Sequence, residues 1–363
     1  MKRTLFALTS IGLMFLFPLV AVSDDHDGAP ILPQLANSPL QVVPTVPANG
    51  DQNPYGVAFV PHDFARGGKI HPGDILVSNF NNASNTQGTG TTIVSIDRQG
   101  NQTLFFGGKS GLGLTTALGV LRRGVVLVGN VPTNSSGIAQ QGSLIAIDRH
   151  GKEITSFTDD VKLDGPWDLT LLDFGERAIV FVSNVLNGTV SRLELRISDD
   201  GERVRLEHST LVAKGYLFRT DPLALVVGPT GLVFDRDEEE LFVASTGDNA
   251  IYKVRNALKR DRPAHLGVVV YEDNAHLRGP LGLIRTPNGD FITTNGDAVN
   301  PDPAHPSEMI EFTKSGKFVA QFSVDTSAEG GAFGIAIHGQ DDHLRLAAVD
   351  DINNTLEIWT IDN

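Results

Sequence analysis

A short pattern recurs six times along this sequence. It is a small residue, in most copies glycine, followed by alternating apolar residues. The copies are 49 to 63 residues apart and are centred on Gly56, Gly119, Asp168, Gly231, Gly282 and Gly334. Such spacing is typical of repeat architectures, in which one repeat buries its apolar face only against its neighbours. The chain is therefore expected to fold as an array of similar units.

Each repeat contains four short β-rich runs. In the first repeat the second run is residues 75–79, the third is residues 92–97, and a fourth follows at residue 103. The turn after the third run is closed by glycine at Gly100, Gly151, Gly201 and Gly316. Glycine adopts positive φ at low cost, which suits such turns. Four strands in each of six repeats predict an all-β, six-bladed β-propeller with four-stranded blades.

The last repeat is one strand short. From Gly334 to residue 363 there is room for about three strands, whereas the apolar run at residues 40–46 has no repeat of its own. We predict that this N-terminal strand completes the last blade, because closure removes an exposed strand edge. The expected organisation is a signal peptide at 1–23, a Pro- and Asp-rich linker at 24–39, and the propeller at 40–363.

The first 23 residues have the features of a secretory signal. Lys2 and Arg3 precede an apolar stretch at 5–22, and small residues at Ala21 and Ser23 mark a cleavage site. An uncleaved membrane anchor is the alternative. We expect an exported protein, periplasmic or extracellular, with no stable membrane span after signal cleavage.

Charge and cysteine content exclude several functions. The net charge of −14 disfavours nucleic-acid partners, because an acidic surface repels the phosphate backbone. The sequence has no cysteine, which excludes disulfides, thiolate metal sites and thiol nucleophiles. A core of this size does not need a disulfide in an exported domain. No Gly-x-Ser-x-Gly nucleophile motif occurs either.

The repeat pattern resembles that of the NHL-repeat propellers. The best-matching segments are residues 287–291 and 242–252, and the resemblance extends over about residues 53–363. The chain is also similar to a group of secreted bacterial propellers of unassigned activity. The resemblance implies the fold and leaves the activity open, since this scaffold hosts lactonases, lyases, dehydrogenases and binding proteins.

Two rings of residues are expected at one central mouth, because the innermost strand begins, and the second strand ends, on the same face. The second-strand ends supply a mostly amide ring of Asn79, Asn130, Asn184, Ser245, Asn295 and Asp350. Such oxygens suit Ca²⁺ or a sugar-like polyol. The alternative is that these side chains cap their own turns.

The second ring lies just before the innermost strands. Calcium-dependent lactonases that are gluconolactonase-like or paraoxonase-like carry Glu, Asn or Asp there. This sequence instead has Tyr55, Leu118, Trp167, Thr230, Leu281 and Phe333, so the metal set of those enzymes does not carry over. Tyr55, Trp167 and Phe333 predict an aromatic lining for a sugar or a small planar ligand, with core packing as the alternative.

Loops supply the remaining candidates. Long polar loops at 80–91, 131–142 and 296–306 are expected to wall one sector of the mouth, although variation on a tolerant surface is the alternative. Streptogramin-lyase-like propellers need Glu and His near the mouth. The loop residues available for such a set, or for binding a carboxylate, are His276, Arg278, His305 and Glu308, and nothing in the sequence places them together.

Cleavage after Ser23 would create a further small site. The new N-terminus, Asp24-Asp25-His26, offers an amine, two backbone nitrogens and an imidazole to Cu(II) or Ni(II) in a square plane.

Two functions follow from these patterns. The first is a binding scaffold whose mouth takes a small polar ligand, a glycan or a protein. The alternative is a metal-dependent, lactonase-like hydrolase or lyase that uses the Asn and Asp ring, with Ca²⁺ as the expected metal. The oligomeric state stays open.

Overall fold

The computed structural model describes residues 28–296, 299–340 and 343–362. The predicted signal peptide and the Asp24-Asp25-His26 site lie outside the described residues. Within the described part of the chain, no helix is both long and apolar enough to cross a membrane.

Six antiparallel four-stranded sheets form a six-bladed propeller, as the repeats predict. Blade 1 contains β2 (Gln52–Phe59), β3 (Ile75–Asn81), β4 (Thr92–Ile96) and β5 (Gln102–Gly107). Blade 2 contains β6 (Leu114–Leu121), β7 (Val125–Asn130), β8 (Ser143–Asp148) and β9 (Glu153–Phe157). Blade 3 contains β10 (Pro166–Asp173), β11 (Arg177–Asn184), β12 (Thr189–Ile197) and β13 (Val204–Lys214).

The other blades repeat this order from the channel outward. Blade 4 contains β16 (Pro229–Asp235), β17 (Glu240–Ser245), β18 (Ala250–Arg255) and β19 (Val268–Tyr271). Blade 5 contains β20 (Pro280–Arg285), β21 (Phe291–Asn295), β22 (Glu308–Phe312) and β23 (Phe318–Ser323). Blade 6 contains β24 (Ala332–Gln340), β25 (His343–Asp350), β26 (Thr355–Ile361) and, as its outermost strand, β1 (Leu40–Pro44).

The two ends of the propeller meet in blade 6, which confirms the predicted closure. Strand β1 pairs antiparallel with β26, in a register that places Leu40 opposite Trp359 and Pro44 opposite Thr355. Val43 is buried among Ala347, Leu356 and Ile358, whereas Val42 beside it is exposed. The strand therefore contributes both hydrogen bonds and apolar packing to the last blade.

The core lies between the blades. Strands β3 and β7 are buried at every position, because neighbouring blades cover both of their faces. The outermost strands β5 and β9 keep exposed positions. As predicted, the turns after the third strands place Gly100, Gly151, Gly201 and Gly316 in the left-handed region, with φ between 73° and 86°.

The structure contains two elements that lie outside the blade repeat and were not predicted from the sequence. Helix α1 (Leu32–Leu35) lies in the segment that the sequence predicts as a linker, and Leu32 and Leu35 are buried against blades 5 and 6. The Glu311 carboxylate holds the start of this helix, because it accepts the N–H groups of Ile31 and Leu32 at 2.8 Å each. A hairpin, β14 (Arg219–Asp221) and β15 (Leu225–Val227), separates blades 3 and 4.

Candidate functional site

A β-bulge near the start of each innermost strand shapes the mouth of the channel. In blade 1 the register with β3 shifts between Pro54 and Val57, which leaves Tyr55 and Gly56 outside the regular pairing. Blades 3 to 6 have the same shift, and in blade 2 a longer one leaves residues 115–117 unpaired. A bulge re-aims a side chain at a strand end. It is the local reason why Tyr55, Trp167 and Phe333 reach the mouth, whereas Leu118 of blade 2 follows the bulge and pairs regularly with Val128.

Hydroxyl groups fix some of these bulges to the next blade. Ser78 Oγ accepts the N–H of Gly56 at 2.9 Å and donates to the carbonyl of Thr115 at 2.8 Å. In blade 5, Thr294 Oγ1 accepts the N–H of Gly282 at 2.8 Å and donates to the carbonyl of Phe333 at 2.6 Å. The second strand of one blade thus supports the bulge of its own blade and that of its neighbour.

Four aromatic rings form one cluster at the mouth. The Tyr55 ring is stacked between Phe80 and Phe333, with ring centroids 4.5 Å and 4.3 Å apart. The Trp167 ring meets Tyr55 and Phe80 at 5.8 Å and 5.5 Å in tilted and edge contacts. The structure therefore brings Tyr55, Trp167 and Phe333 together. Because both faces of Tyr55 are covered, a ligand reaches only the edge of this ring.

A cavity of about 210 Å³ lies beside this cluster and is lined by Tyr55, Trp167 and Phe333. Among the described residues, two buried polar atoms of the lining have no hydrogen-bond partner: Asn53 Oδ1 and Trp167 Nε1. An unsatisfied buried polar group costs about 1–3 kcal/mol, so each such group needs a structural explanation. Both residues line the same cavity, so a ligand or a water molecule there is a candidate partner for these atoms.

The same cavity is lined by a carboxyl group whose proton affinity is unusual. Burial, and next to it the charge of Asp350, raise the pKa of Asp351 to about 8. Burial and the Asp351 carboxylate in turn raise the pKa of the Tyr55 phenol well above its ordinary value. On strand β26, outside the cavity lining, burial and the negative charges of Asp350 and Asp325 raise the pKa of the Glu357 carboxyl group to about 7. Asp351 is therefore largely protonated below neutral pH and is able to donate a hydrogen bond.

The hairpin β14–β15 covers part of the cavity. Leu223 and Val226 are among the lining residues, and Val226 packs with Tyr55 and Trp167. The Leu223 carbonyl accepts a hydrogen bond from Gln87 Nε2 of blade 1 at 3.1 Å, across the mouth. At the other end of the tip, Leu225 has φ 62°, which is a strained conformation for a bulky residue.

The predicted amide and carboxylate ring lies at the ends of the second strands, and its six side chains are buried: Asn79, Asn130, Asn184, Ser245, Asn295 and Asp350. Each is hydrogen-bonded within the protein. Asn184 Nδ2 donates to Ser191 Oγ at 3.0 Å, and Asp350 Oδ2 accepts from Asn353 Nδ2 at 2.7 Å. Asn130 Oδ1 accepts the backbone N–H of Ser143 at 2.8 Å. These contacts agree with the turn-capping alternative, whereas Asn79 Oδ1 and Asn184 Oδ1 are buried without a hydrogen-bond partner among the described residues, and a ligand at this ring stays a prediction.

The charged loop candidates lie in blade 5. His276 Nδ1 is 2.5 Å from Asp273 Oδ2, and its ring stacks on Phe318 at 3.8 Å. His305 and Arg278 both approach Asp302, at 3.3 Å and 3.6 Å. Glu308 accepts a hydrogen bond from Asn295 at 2.8 Å. None of these four candidate side chains is part of the cavity lining.

Two of the three long loops reach the cavity. Gln87 of the first loop and Val299 of the third are lining residues. The second loop packs on the first, because Thr133 donates its backbone N–H to Gly88 and its hydroxyl to the carbonyl of Gln87. Sequence reasoning did not identify Asn53, Asp351 or the hairpin as parts of this site.

Acidic and imidazole side chains are not clustered in the described residues. These residues contain no group of three or more His, Asp or Glu side chains placed to hold a metal ion. Ca²⁺ takes six to eight oxygen ligands. The side chains that line the cavity and supply carboxylate or amide oxygens are Asn53, Gln87, Glu329 and Asp351.

Comparisons with known proteins bear on the fold. No family model matches the sequence, and no curated protein matches it. Regucalcin from Agrobacterium tumefaciens str. C58, described as a calcium-binding protein, is 13% identical, with 88% of this chain and 95% of regucalcin covered and a TM-score of 0.51. A gluconolactonase from Xanthomonas campestris is also 13% identical, with 94% and 96% covered and a TM-score of 0.49.

A luciferin-regenerating enzyme is 11% identical, with 90% of this chain and 96% of that enzyme covered and a TM-score of 0.48. At such identities the regucalcin match supports the fold alone, and the NHL-repeat assignment stays a prediction. The chain is a six-bladed β-propeller with structural similarity to regucalcin.

Proposed function

We propose that this propeller binds a small, uncharged, ring-shaped polar ligand of the sugar or sugar-lactone class in the cavity at its mouth. The observation that carries the proposal is that Asn53 and Trp167 line one cavity and that each has a buried polar atom, Asn53 Oδ1 and Trp167 Nε1, without a hydrogen-bond partner in the part of the chain that the structure describes. A hydroxyl group both donates and accepts, so a polyol satisfies both atoms at once. Protonated Asp351 adds a further donor beside them.

Size and charge narrow the ligand class. The volume of about 210 Å³ lies below the range of about 300–1,000 Å³ that is usual for drug-sized ligands, so a single small ring is favoured. An anion is disfavoured by the acidic groups at the mouth and by the net charge of −14. A larger glycan or a protein would place one small polar ring in the cavity, and the rest of that partner would stay outside.

Fluorescence of Trp167 provides the test. The chain has two tryptophans, so Trp359→Phe leaves Trp167 as the reporter. This variant would be titrated with glucose, glucono-lactone, acetate and tetramethylammonium at millimolar concentrations. We expect a saturable change with a neutral ring and none with the two ions. Saturation by an ion alone, or by none of the probes, would contradict the proposal.

The matched variant is Trp167→Phe, which keeps an aromatic ring and removes the N–H donor. We expect the fluorescence response to disappear. Calorimetry should show affinity that is about 2- to 10-fold weaker, because one net hydrogen bond is worth about 0.5–1.5 kcal/mol. Equal affinity in the two variants would place the ligand elsewhere.

A second candidate is hydrolysis of a lactone or ester in the same cavity. Regucalcin's description as calcium-binding agrees with the metal-dependent hydrolase hypothesis better than with a binding-only scaffold. In this chain, the supporting group is Asp351, because a carboxyl group with a pKa of about 8 can exchange a proton near neutral pH. Acid release from glucono-lactone, followed with a pH indicator, should be lost in Asp351→Asn. Turnover unaffected by this substitution would count against it.

We further propose that the protein acts in the periplasm or outside the cell. The support is the signal-like sequence at residues 1–23. Mass spectrometry of the exported protein should show Asp24 as the first residue. Any other first residue would also remove the proposed Cu(II) or Ni(II) site at Asp24, Asp25 and His26.

A further inference from the structure

A second cavity lies on the face opposite the mouth, between blades 1 and 6. Its volume is about 360 Å³, and its lining includes Gly73, Arg98, His338, His343 and Arg345. Strand β24 ends near His338, and strand β25 begins near Arg345. Innermost strands end, and second strands begin, on the face away from the mouth. We call this cavity the basic pocket.

Two guanidinium groups of the basic pocket meet at one glycine. Arg345 Nη1 donates to the Gly73 carbonyl at 3.2 Å, and the guanidinium carbon lies 5.4 Å from the centroid of the Phe59 ring. Arg98 lies so close to the Gly73 α-carbon that an added Cβ would be 2.5 Å from its Nε. Glycine at position 73, with φ 88°, is thus what allows both arginines to occupy this place.

Two carboxylates near these cations, within the part of the chain that the structure describes, have other partners. Asp362 is paired with His343 at 2.6 Å. Asp97, next to Arg98 in sequence, accepts the N–H groups of Gln99 and Asn101 in its own turn. Among the described residues, neither Arg98 nor Arg345 has a carboxylate within ion-pair distance.

The electrostatics agree with uncompensated positive charge. Burial, followed by the charge of Arg98, lowers the pKa of Arg345. Burial lowers the pKa of His338, and the charges of Arg345, His62 and Arg98 lower it further. Convergent cations repel one another unless an anion joins them.

We propose that the basic pocket binds an oxyanion of the phosphate type, free or carried on a small molecule, with Arg98 and Arg345 as its main ligands. Planar guanidinium groups match phosphate oxygens with paired hydrogen bonds. A phosphate dianion offers more acceptor oxygens to two arginines than a carboxylate does. The site lies on the other face from the proposed sugar-type cavity and does not depend on it.

Calorimetry with inorganic phosphate tests this site, at constant ionic strength set by chloride and with acetate in parallel. We expect saturable phosphate binding at one site and at least tenfold weaker binding of acetate. Arg98→Gln and Arg345→Gln should each weaken phosphate binding at least tenfold. Arg98 forms no hydrogen bond that the fold needs among the described residues, so this variant should stay folded even if Arg345→Gln does not.

A control variant and two further results test whether phosphate binding depends on Arg98 and Arg345. Arg177→Gln, on blade 3, should bind phosphate as the wild type does. Phosphate binding no tighter than acetate, or unchanged in Arg98→Gln, would overturn the proposal. Asp341 and Asp342 lie outside the described residues and next to His343 in sequence. Binding that appears only in the double variant Asp341→Asn/Asp342→Asn would show that the chain neutralises its own arginines, which would also overturn it.

Discussion

At the scale of single residues, Asp351 couples the stability of the protein to pH. Its folded pKa of about 8 lies far above the value of about 3.9 in an unfolded chain. The folded state therefore holds a proton that the unfolded state has lost between these values. Its stabilising contribution is fully present below about pH 4 and is lost as the pH rises through about 8.

Asp351→Asn should remove this dependence, because the amide has no proton to lose. We expect the melting temperature of the variant to equal that of the wild type near pH 4, where Asp351 is protonated in the folded state and partly so in the unfolded state. At pH 9 it should be higher by at least about 3 °C, given that 1 kcal/mol moves the midpoint of a protein of this size by about 2–4 °C. Thermal melts across this range provide the measurement, with the exposed Asp261→Asn as control. Parallel curves for Asp351→Asn and wild type would refute the assignment.

The repeat pattern did not predict that Asp351 lines the cavity. The mouth-facing aromatic residues were predictable, because their place before each repeated glycine is visible in the pattern. The same logic selected Asp350, at the end of its strand, whereas the cavity is lined by the next residue. Successive residues of a strand face opposite sides, and the turn after Asp350 sets which one reaches the cavity.

At the scale of elements, strand β1 was predictable and the hairpin β14–β15 was not. The N-terminal strand is apolar and fills a gap in a regular count. The hairpin strands have three residues each, which is too short for an alternating pattern to be recognised. Its trace in the sequence is the step of 63 residues between Asp168 and Gly231, longer than the preceding step of 49.

Strand β1 offers a matched pair of substitutions. Val43 is 4% exposed and packs on blade 6, while Val42 is 51% exposed. Val43→Asp should lower the melting temperature by at least about 5 °C, because a buried unpaired charge costs several kcal/mol. Val42→Asp should change it by less than about 2 °C. Similar losses for the two variants would contradict the closure of blade 6 by the inner face of β1.

The hairpin is expected to act as a movable cover over the cavity. Its tip residue Leu223 is 69% exposed, and Gln87 links it to blade 1 by one side-chain hydrogen bond. Gln87→Ala should raise amide hydrogen exchange in residues 219–227 by about 2- to 10-fold, as expected for the loss of about 0.5–1.5 kcal/mol. The melting temperature should stay the same. Gln140→Ala, in a neighbouring loop, serves as control, and equal exchange in both variants would show that the bond does not hold the cover.

At the scale of the whole molecule, repetition determines the fold and irregularity determines the candidate sites. Six similar repeats predict the blades, their order and their closure. The cavity at the mouth depends on a hairpin between two repeats and on loops of unequal length, and the basic pocket on where the first and last blades meet. Comparing the repeats reveals the long loops, whereas the hairpin and the pocket at the junction of the first and last blades need the structure.

The response to calcium also belongs to the whole molecule, because a net charge of −14 attracts any divalent cation weakly. Where divalent cations act only through this net charge, Ca²⁺ and Mg²⁺ should shift the melting temperature equally. A specific site would instead raise the midpoint with Ca²⁺ alone, in proportion to its occupancy, and a chelator would reverse the rise. Such a rise, abolished in Asp350→Asn or Asp351→Asn, would place a metal at the mouth. It would make lactone hydrolysis the leading function, whereas equal shifts leave ligand binding ahead.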